Sequence, residues 1–392
     1  MGASTDHALG RNLRFFCVKE DAAYPGGRYG TDNQKALTGA NAAKVLSAGF
    51  EFTVARSNRM DARSSRSVLD RITGKQEVSW SVETYVLPAG GSTAPDIDPL
   101  LEAALGGAFG ASVSKTYNLT NTNALPTVRM ARTADAVFRE DLFGCWVESF
   151  GITASGGAEP RMTFSGGAFN YALTGTGTCA ASGVGSTTLP LLSGEGVNFM
   201  VGSVIDVNGD ETIVTAKAAA DTLTVKSGTY ANDEVVIPST YTETTAGTPV
   251  NGIAGSLTLN SVTMPITSFD FTMTNGVKAM SDEAFEKGTS DFISGYRTVT
   301  GSISVRARKD MIKSLAARYV QTTATASPSF ASVPIRVDLG TTVGSSVVCF
   351  FDQVEIDFAA IDVPEAEEAV LNIPFTALGS SGEDEFRIAW NQ

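Results

Sequence analysis

The residues able to do chemistry are few and scattered. The one histidine, His7, lies in a polar amino-terminal stretch, so an imidazole-based triad or a His-rich metal site has almost nothing to draw on. It reads as a solvated bystander. The four cysteines, Cys17, Cys145, Cys179 and Cys349, contain no CxxC pair. Neither a zinc site nor a dense disulfide framework follows from that spacing, and reduced, mostly buried thiols are expected. No nucleophile elbow, phosphate loop or HExxH helix occurs. Asp206-Val207-Asn208-Gly209-Asp210 spaces its acids like a calcium loop, but its glycine falls in the wrong place and Lys217 stands where the closing glutamate belongs. A turn between strands is expected there. The chemistry left open is that of two bare carboxylates, as in a glycosidase, which carries no local signature. No cofactor, metal ligand or catalytic residue is assigned.

Composition narrows the classes further. Of 392 residues, 43% are hydrophobic and 18% charged, the balance of a globular chain whose polar surface is Ser, Thr and Asn, with room for two or three domains. The net charge of −13 argues against wrapping nucleic acid, since phosphate binding needs clustered Lys and Arg. It leaves open a surface past which nucleic acid slides without sticking. No run approaches the roughly 18 apolar residues of a membrane span, and the opening Met1-Gly2-Ala3-Ser4-Thr5 leads into no apolar export signal. A protein without a membrane segment, not exported by the usual route, is expected.

Thirty-nine glycines, with many Ser, Thr and Asn, punctuate short Val, Phe, Ile and Thr runs of period two, which reads as strands with one buried face. Two segments read as helical. Asp98-Pro99-Leu100-Leu101-Glu102-Ala103-Ala104-Leu105 has an Asp cap, a proline in the first turn and Gly106-Gly107 after the stop. The other runs over Lys309-Asp310-Met311-Ile312-Lys313-Ser314-Leu315-Ala316-Ala317.

Internal repetition organises these elements. Phe50-Glu51-Phe52-Thr53-Val54 and Phe269-Asp270-Phe271-Thr272-Met273 match position by position. A long polar loop follows each, then a second alternating strand, Val78-Ser79-Trp80-Ser81-Val82 or Val299-Thr300-Gly301-Ser302-Ile303. Each second strand leads to one of the two helices. A closing hairpin ends each copy: Val147-Glu148-Ser149-Phe150 with Met162-Thr163-Phe164, and Val354-Glu355-Ile356-Asp357-Phe358 with Leu371-Asn372-Ile373-Pro374-Phe375. Ordered matches at similar spacing point to duplication. Between the copies, residues 178–248 carry eight acids against two lysines and read as a small, acidic, all-β insert, or else a long decorated loop. The expected division is 1–177, 178–248 and 249–392.

The order of strand, long loop, strand, helix and final hairpin, given twice, resembles the tail-tube proteins of long-tailed phages with non-contractile tails, in the branch where one chain carries two tube domains. The resemblance covers residues 10–177 and 249–392. It implies two tandem tube-like β-sandwich or barrel domains, each with one short helix. It further implies rings of three chains with pseudo-sixfold symmetry, stacked into a hollow tube that conducts the genome, with tape-measure and tail-end proteins as further partners. Such a protein resides in the virion tail after assembly in the host cytoplasm. The family has no catalytic residues to carry over, so no enzyme activity is expected.

In such proteins the long loop reaches the neighbouring ring. Here the first loop, about 55–76, holds Arg56, Arg59, Arg63, Arg66, Arg71 and Lys75 against Asp61 and Asp70. The second, 275–297, holds Asp282, Glu283, Glu286 and Asp291 against Lys278 and Lys287 in its section from Gly276 to Ser294. Opposite charge at equivalent positions suits inter-ring contacts whose register is set by electrostatic complementarity, the bland alternative being a solvated Arg/Ser loop. If Val78, Trp80 and Val82 pack inward, Ser79, Ser81 and Glu83 face the other way, as do Thr300, Ser302 and Ser304. A wall of hydroxyls and acids would offer passing DNA no cations to grip, although periodicity alone does not say which face meets a lumen. Two other classes share the glycine-rich strands: a cell-surface adhesin or capsid-decorating protein, and a carbohydrate-active β protein. Adhesins normally carry an export signal, and three tryptophans, Trp80, Trp146 and Trp390, give little sign of a sugar-binding aromatic cluster.

Overall fold

The computed structural model describes residues 13–20, 35–58, 71–110, 115–121, 125–134, 137–245, 247–250, 255–259, 262–264, 266–280, 288–289, 291–306, 333–342, 344–356, 360–362, 369–380 and 382–390. The fold is mainly β. In chain order the first strands are β1 (Leu13–Lys19), β2 (Ala42–Ala43), β3 (Ser47–Asn58) and β4 (Arg71–Tyr85), followed by helix α1 (Asp98–Leu105). Then come β5 (Thr116–Asn118), β6 (Val128–Ala134), β7 (Phe138–Ser155), β8 (Arg161–Gly167) and β9 (Asn170–Thr174). In this amino-terminal set β3 pairs with β4, β4 with β8 and β8 with the second half of β7. The first half of β7 belongs to another layer, pairing with β6 and β9 while β6 pairs with β1. Two register shifts and Gly144, at φ 63°, let the long strand bend from one layer into the other.

Strands β10 (Gly177–Thr178), β11 (Gly183–Pro190), β12 (Val204–Val207), β13 (Asp210–Ala219), β14 (Thr222–Tyr230) and β15 (Val235–Pro238) make a separate six-stranded sheet. It has its own core, built on residues such as Leu189, Phe199, Ile205, Val214, Leu223 and Val236. The Asp206–Asp210 segment is the turn between β12 and β13. Asn208 and Gly209 both take positive φ, 55° and 86°, and the Gly209 N–H donates to Asp206 Oδ1 at 2.8 Å, a two-residue hairpin of the Asn-Gly kind.

The carboxy-terminal set comprises β16 (Gly255–Leu259), β17 (Val262–Met264), β18 (Ile266–Thr274), β19 (Lys278–Met280), β20 (Asp291–Ile293) and β21 (Thr298–Arg306). It continues with β22 (Val333–Leu339), β23 (Val347–Ile356), β24 (Ala360–Asp362), β25 (Val370–Ala377) and β26 (Arg387–Trp390). Its pairing follows the amino-terminal pattern: β18 with β21, β21 with β25, β25 with β23 and β24. The first part of β23 again turns to another layer, between β22 and β26, with β22 paired to β16. The expected matches of Phe50 with Phe269 and of Trp80 with Gly301 do not share one register. Phe50 lies opposite Trp80, whereas Phe269 lies opposite Ile303. The offset is two residues, so the same face stays inward.

The two sets join edge to edge. β7 pairs antiparallel with β18 over seven positions, from Ser155 with Ser268 to Ser149 with Thr274. Strands β3–β4–β8–β7–β18–β21–β25–β23 therefore form one continuous run, and a single core lies behind both halves. Phe150 contributes to both, 5.0 Å from the Phe164 ring and 5.7 Å from Phe271, and Phe271 sits 4.8 Å from Phe386. Each such buried aromatic stabilises the fold by roughly 1.5–3 kcal/mol.

Helix α1 occupies the expected span, but Asp98 is not its cap. Ile97 holds that position without a side-chain bond, Pro99 sits in the first turn, and Gly106 at φ 82° closes the helix by donating to the Glu102 carbonyl at 2.7 Å. Asp98 instead accepts the Tyr117 hydroxyl at 2.6 Å, and burial raises the pKa of both groups. The expected helix at Lys309–Ala317 and His7 lie outside the described residues. All four cysteines are buried free thiols; burial holds Cys17, Cys145 and Cys349 far above the usual thiol range and pushes Cys179 up to about 11. No described helix is long and apolar enough to cross a membrane.

The chain leaving the six-stranded sheet is fixed to the amino-terminal set. Arg139 donates to both oxygens of Asp141 at 2.7 and 2.9 Å, to the Ser239 carbonyl at 3.0 Å and to the Tyr241 hydroxyl at 3.2 Å. Arg129 reaches Asp141 at 3.1 Å, and the side chains of all three are at most 2% exposed. The Tyr241 ring meets Phe16 edge-on at 5.4 Å, and its hydroxyl donates to Glu211 at 2.6 Å.

Candidate functional site

Among the described residues, a broad polar feature is the face of the eight-strand run turned away from the core. Alternation produces it: in β4, Trp80 and Val82 are 3% and 2% exposed, while Ser79 and Ser81 between and beside them are exposed and Glu83 is half-buried. In β21, Val299, Ile303 and Val305 are buried, Thr300 is exposed, and Ser302 and Ser304 are half-buried. Val78 is only partly buried, at the edge of the core.

Cross-strand register assembles these positions into rows. One begins at Ser47 opposite Glu83 and continues through Thr163, Gly151, Thr272, Thr300 and Thr376 to Glu355. It crosses every strand of the run with hydroxyls, one glycine and two carboxylates. A neighbouring row runs Gly49, Ser81, Ser165, Ser149, Thr274 and Thr298. On the far side, Tyr85, Arg161, Thr153, Asp270, Ser302 and Pro374 form a third. The Ser302 hydroxyl donates to Asp270 at 2.6 Å.

Cations on this face stand at its margins. Arg161 is held by Glu83 at 3.0 Å, and Arg306 ends β21. Arg71 and Lys75 lie out on the β3–β4 hairpin, with Lys75 against Glu77 at 3.3 Å. The broad middle presents short neutral side chains and acids, so a polyanion meets no array of positive charge there. Among the described residues, no group of three or more His, Cys, Asp or Glu is arranged to hold a metal ion.

The two long loops differ in structure. Much of the stretch expected as the first loop is paired strand: Arg56 with Thr73, Ser57 with Ile72 and Asn58 with Arg71. Arg56 and Arg71 therefore flank an exposed hairpin arm that passes the end of β8 at Gly167. Arg59, Arg63 and Arg66 lie outside the described residues. In the second loop β19 and β20 pair, placing Asp291 opposite Met280, and Phe292 stacks on Trp146 of the amino-terminal set at 5.5 Å. Asp282, Glu283 and Glu286 lie outside the described residues.

Alternation in the sequence discloses the β4 and β21 parts of the polar face, while the β7, β8 and β18 parts, including Thr153, Thr163 and Thr272, escape it. Their signal was present in the alternation of Met162-Thr163-Phe164 and Phe271-Thr272-Met273. It lacked a register joining them. The Arg139–Asp141 cluster carried no usable signal, because its partners Ser239 and Tyr241 stand about a hundred residues away.

A family described as phage tail tube protein matches residues 10–377 of the chain. No curated protein matches it.

Proposed function

The chain belongs to the phage tail tube protein family, a structural and not an enzymatic class, and from that premise we propose how this protein builds its tube. Two tube-like domains, 1–177 and 249–392, flank an inserted domain at 178–248. The two tube domains stand side by side as successive positions of a ring, three chains closing a pseudo-sixfold ring that stacks with others into the tail tube of a non-contractile-tailed phage.

The observation that carries this reading is the junction of β7 with β18. It joins two sets of strands with the same pairing order, and in this reading the same junction is how one ring position would meet the next. The run ends at β3 on one side and at β23 and β24 on the other. Those strands are the counterparts of β18 and β7, and pairing them between chains would repeat the internal junction until the ring closes.

Closure would turn the polar face into the wall of a bore, with Ser79, Ser81, Glu83, Thr300, Ser302 and Ser304 along it and DNA passing without specific binding. The loops bearing Arg56, Arg59, Arg63, Arg66, Arg71, Asp282, Glu283, Glu286 and Asp291 would set the contacts between stacked rings by charge. Tape-measure and tail-end proteins would be the remaining partners in the virion tail, assembled in the host cytoplasm. Electron microscopy of the purified protein tests the reading: rings or hollow tubes support it, and a uniform population of monomers refutes it.

A further inference from the structure

The amino- and carboxy-terminal sets are joined twice. Besides the β7–β18 junction, β5 leaves the amino-terminal set and pairs antiparallel with β26, placing Thr116, Tyr117 and Asn118 opposite Ala389, Ile388 and Arg387. The Trp390 N–H extends the contact to the Lys115 carbonyl at 3.0 Å. Tyr117, Ile388 and Trp390 are fully buried. β5 stays fastened to its own helix, since the Thr120 N–H donates to the Leu105 carbonyl at 3.2 Å. β26 is thus held between β23 of its own set and β5 of the other. One joint in each layer fixes the angle between the halves, where a single sheet junction would leave a hinge.

β9 is the counterpart of β26, because it lies beside the first half of β7 as β26 lies beside the first part of β23. Each stands behind the corresponding inner strand. The Phe386 ring, just before β26, is 4.8 Å from Phe271 of β18, and Tyr171 of β9 stacks on Phe52 of β3 at 5.3 Å. The flank that β5 closes on β26 carries no strand on β9 among the described residues. The inserted domain reaches only its far end, where Phe199 lies opposite Thr174, the Gly175 N–H donates to the Asn198 carbonyl at 2.8 Å and the Ser203 hydroxyl donates to the Leu173 carbonyl at 3.0 Å. Leu173 therefore turns its carbonyl away from β7, and alternation turns the backbone groups of Tyr171 the same way. An open edge of this kind is a template for another strand.

Closing a ring requires the same rotation at every step. In the ring read above, the carboxy-terminal set of one chain meets the amino-terminal set of the next, as the amino-terminal set meets the carboxy-terminal set within the chain. The element playing the part of β5 would lie between β21 and β22, just as β5 lies between β4 and β6. That stretch, 307–332, is outside the described residues and is identified by chain order alone. It includes Tyr319-Val320-Gln321-Thr322-Thr323, a run rich in residue types that favour strands.

We propose that β9 of one chain receives a strand from the 307–332 stretch of the neighbouring chain, so that the joint between chains closes in both layers as the internal one does. The proposal rests on the ring reading and adds an outer-layer interface to it.

The test places a photo-reactive benzoylphenylalanine at position 173 of the full-length chain, where the Leu173 side chain is 41% exposed. Rings are assembled from equal parts of isotopically light and heavy protein, irradiated and mapped by mass spectrometry. Mixed light–heavy cross-links to residues 307–332 are expected. Rings whose cross-links fall within one chain, or on another segment, overturn the inference and leave the ring reading standing. Hydrogen exchange on the unsubstituted protein gives a reading free of the probe, and decides the matter if the probe blocks assembly. Peptides covering 169–172 should exchange about tenfold more slowly in rings than in the monomer. Equal rates overturn the inference, and an unsubstituted chain that forms no rings overturns both readings.

Discussion

Gly151 of β7 lies directly opposite Thr272 of β18, and a Cβ added at that glycine would stand 2.8 Å from the Phe271 carbonyl oxygen. The obstacle is backbone, which cannot swing aside as a flexible side chain can. The closeness of the two halves of the sheet run therefore depends on a missing methyl group. Gly151→Val is expected to destabilise the chain by about 1–3 kcal/mol, as overpacking does elsewhere. Chemical denaturation read by tryptophan fluorescence checks this, and an unchanged midpoint would show that the junction is slack.

Asp141 holds Arg129 and Arg139 together beneath the segment that leaves the six-stranded sheet. Asp141→Asn leaves two buried guanidinium groups without their anion, and breaking such a cluster is expected to cost about 3–5 kcal/mol. Limited proteolysis supplies a second reading: cleavage near Ser239–Glu243 should appear in the variant before the rest of the chain is cut.

Glu20 gives the fold a pH dependence of defined sign. Burial pushes its carboxyl above the ordinary value of 4.5, against the pull of the Thr127 hydroxyl, the Gly144 N–H and Arg129. The folded state thus holds this proton more tightly than the unfolded one. The stabilising contribution is full below the ordinary value and lost as the pH rises through the raised one. Glu20→Gln removes that dependence, so the stability of the variant relative to the native protein should be highest near neutrality and fall on acidification. Melting temperatures measured across that window decide it; a difference that grows in acid would reverse the sign.

The polar face makes a prediction about transport. Ser79, Ser81 and Thr300 are exposed, so Ser79→Lys, Ser81→Lys and Thr300→Lys together should leave assembly intact. If the face lines the bore, phage built with this variant should release DNA about tenfold more slowly, with the rate recovering as salt screens the new phosphate contacts. Normal release at low salt would place the face elsewhere.

These features were unequally legible in the sequence. Period-two runs such as Phe50–Val54 and Phe269–Met273 disclosed strands and their inward faces, because alternation is a local property. The proline and glycine around Asp98–Leu105 marked the helix, although Asp98 was drawn from its capping role by Tyr117, a residue 19 positions away. The polar face was legible strand by strand but not as a surface. Its rows depend on register, and the decisive pairing of β7 with β18 joins residues more than a hundred positions apart. The arm read as a loop because Arg56, Arg71 and their neighbours are polar on both sides, and polar residues on both faces hide a period of two.

In the proposed tube the chain repeats its internal β7–β18 junction between copies, with the polar face inward. A cryo-electron microscopy map of tubes assembled from the purified protein tests it most directly. The expected map has β3 of one chain paired with β23 and β24 of the next, and Ser81, Thr272 and Thr300 pointing into the bore. A tube whose chains meet through other edges, or whose bore is lined by the opposite face, would contradict it.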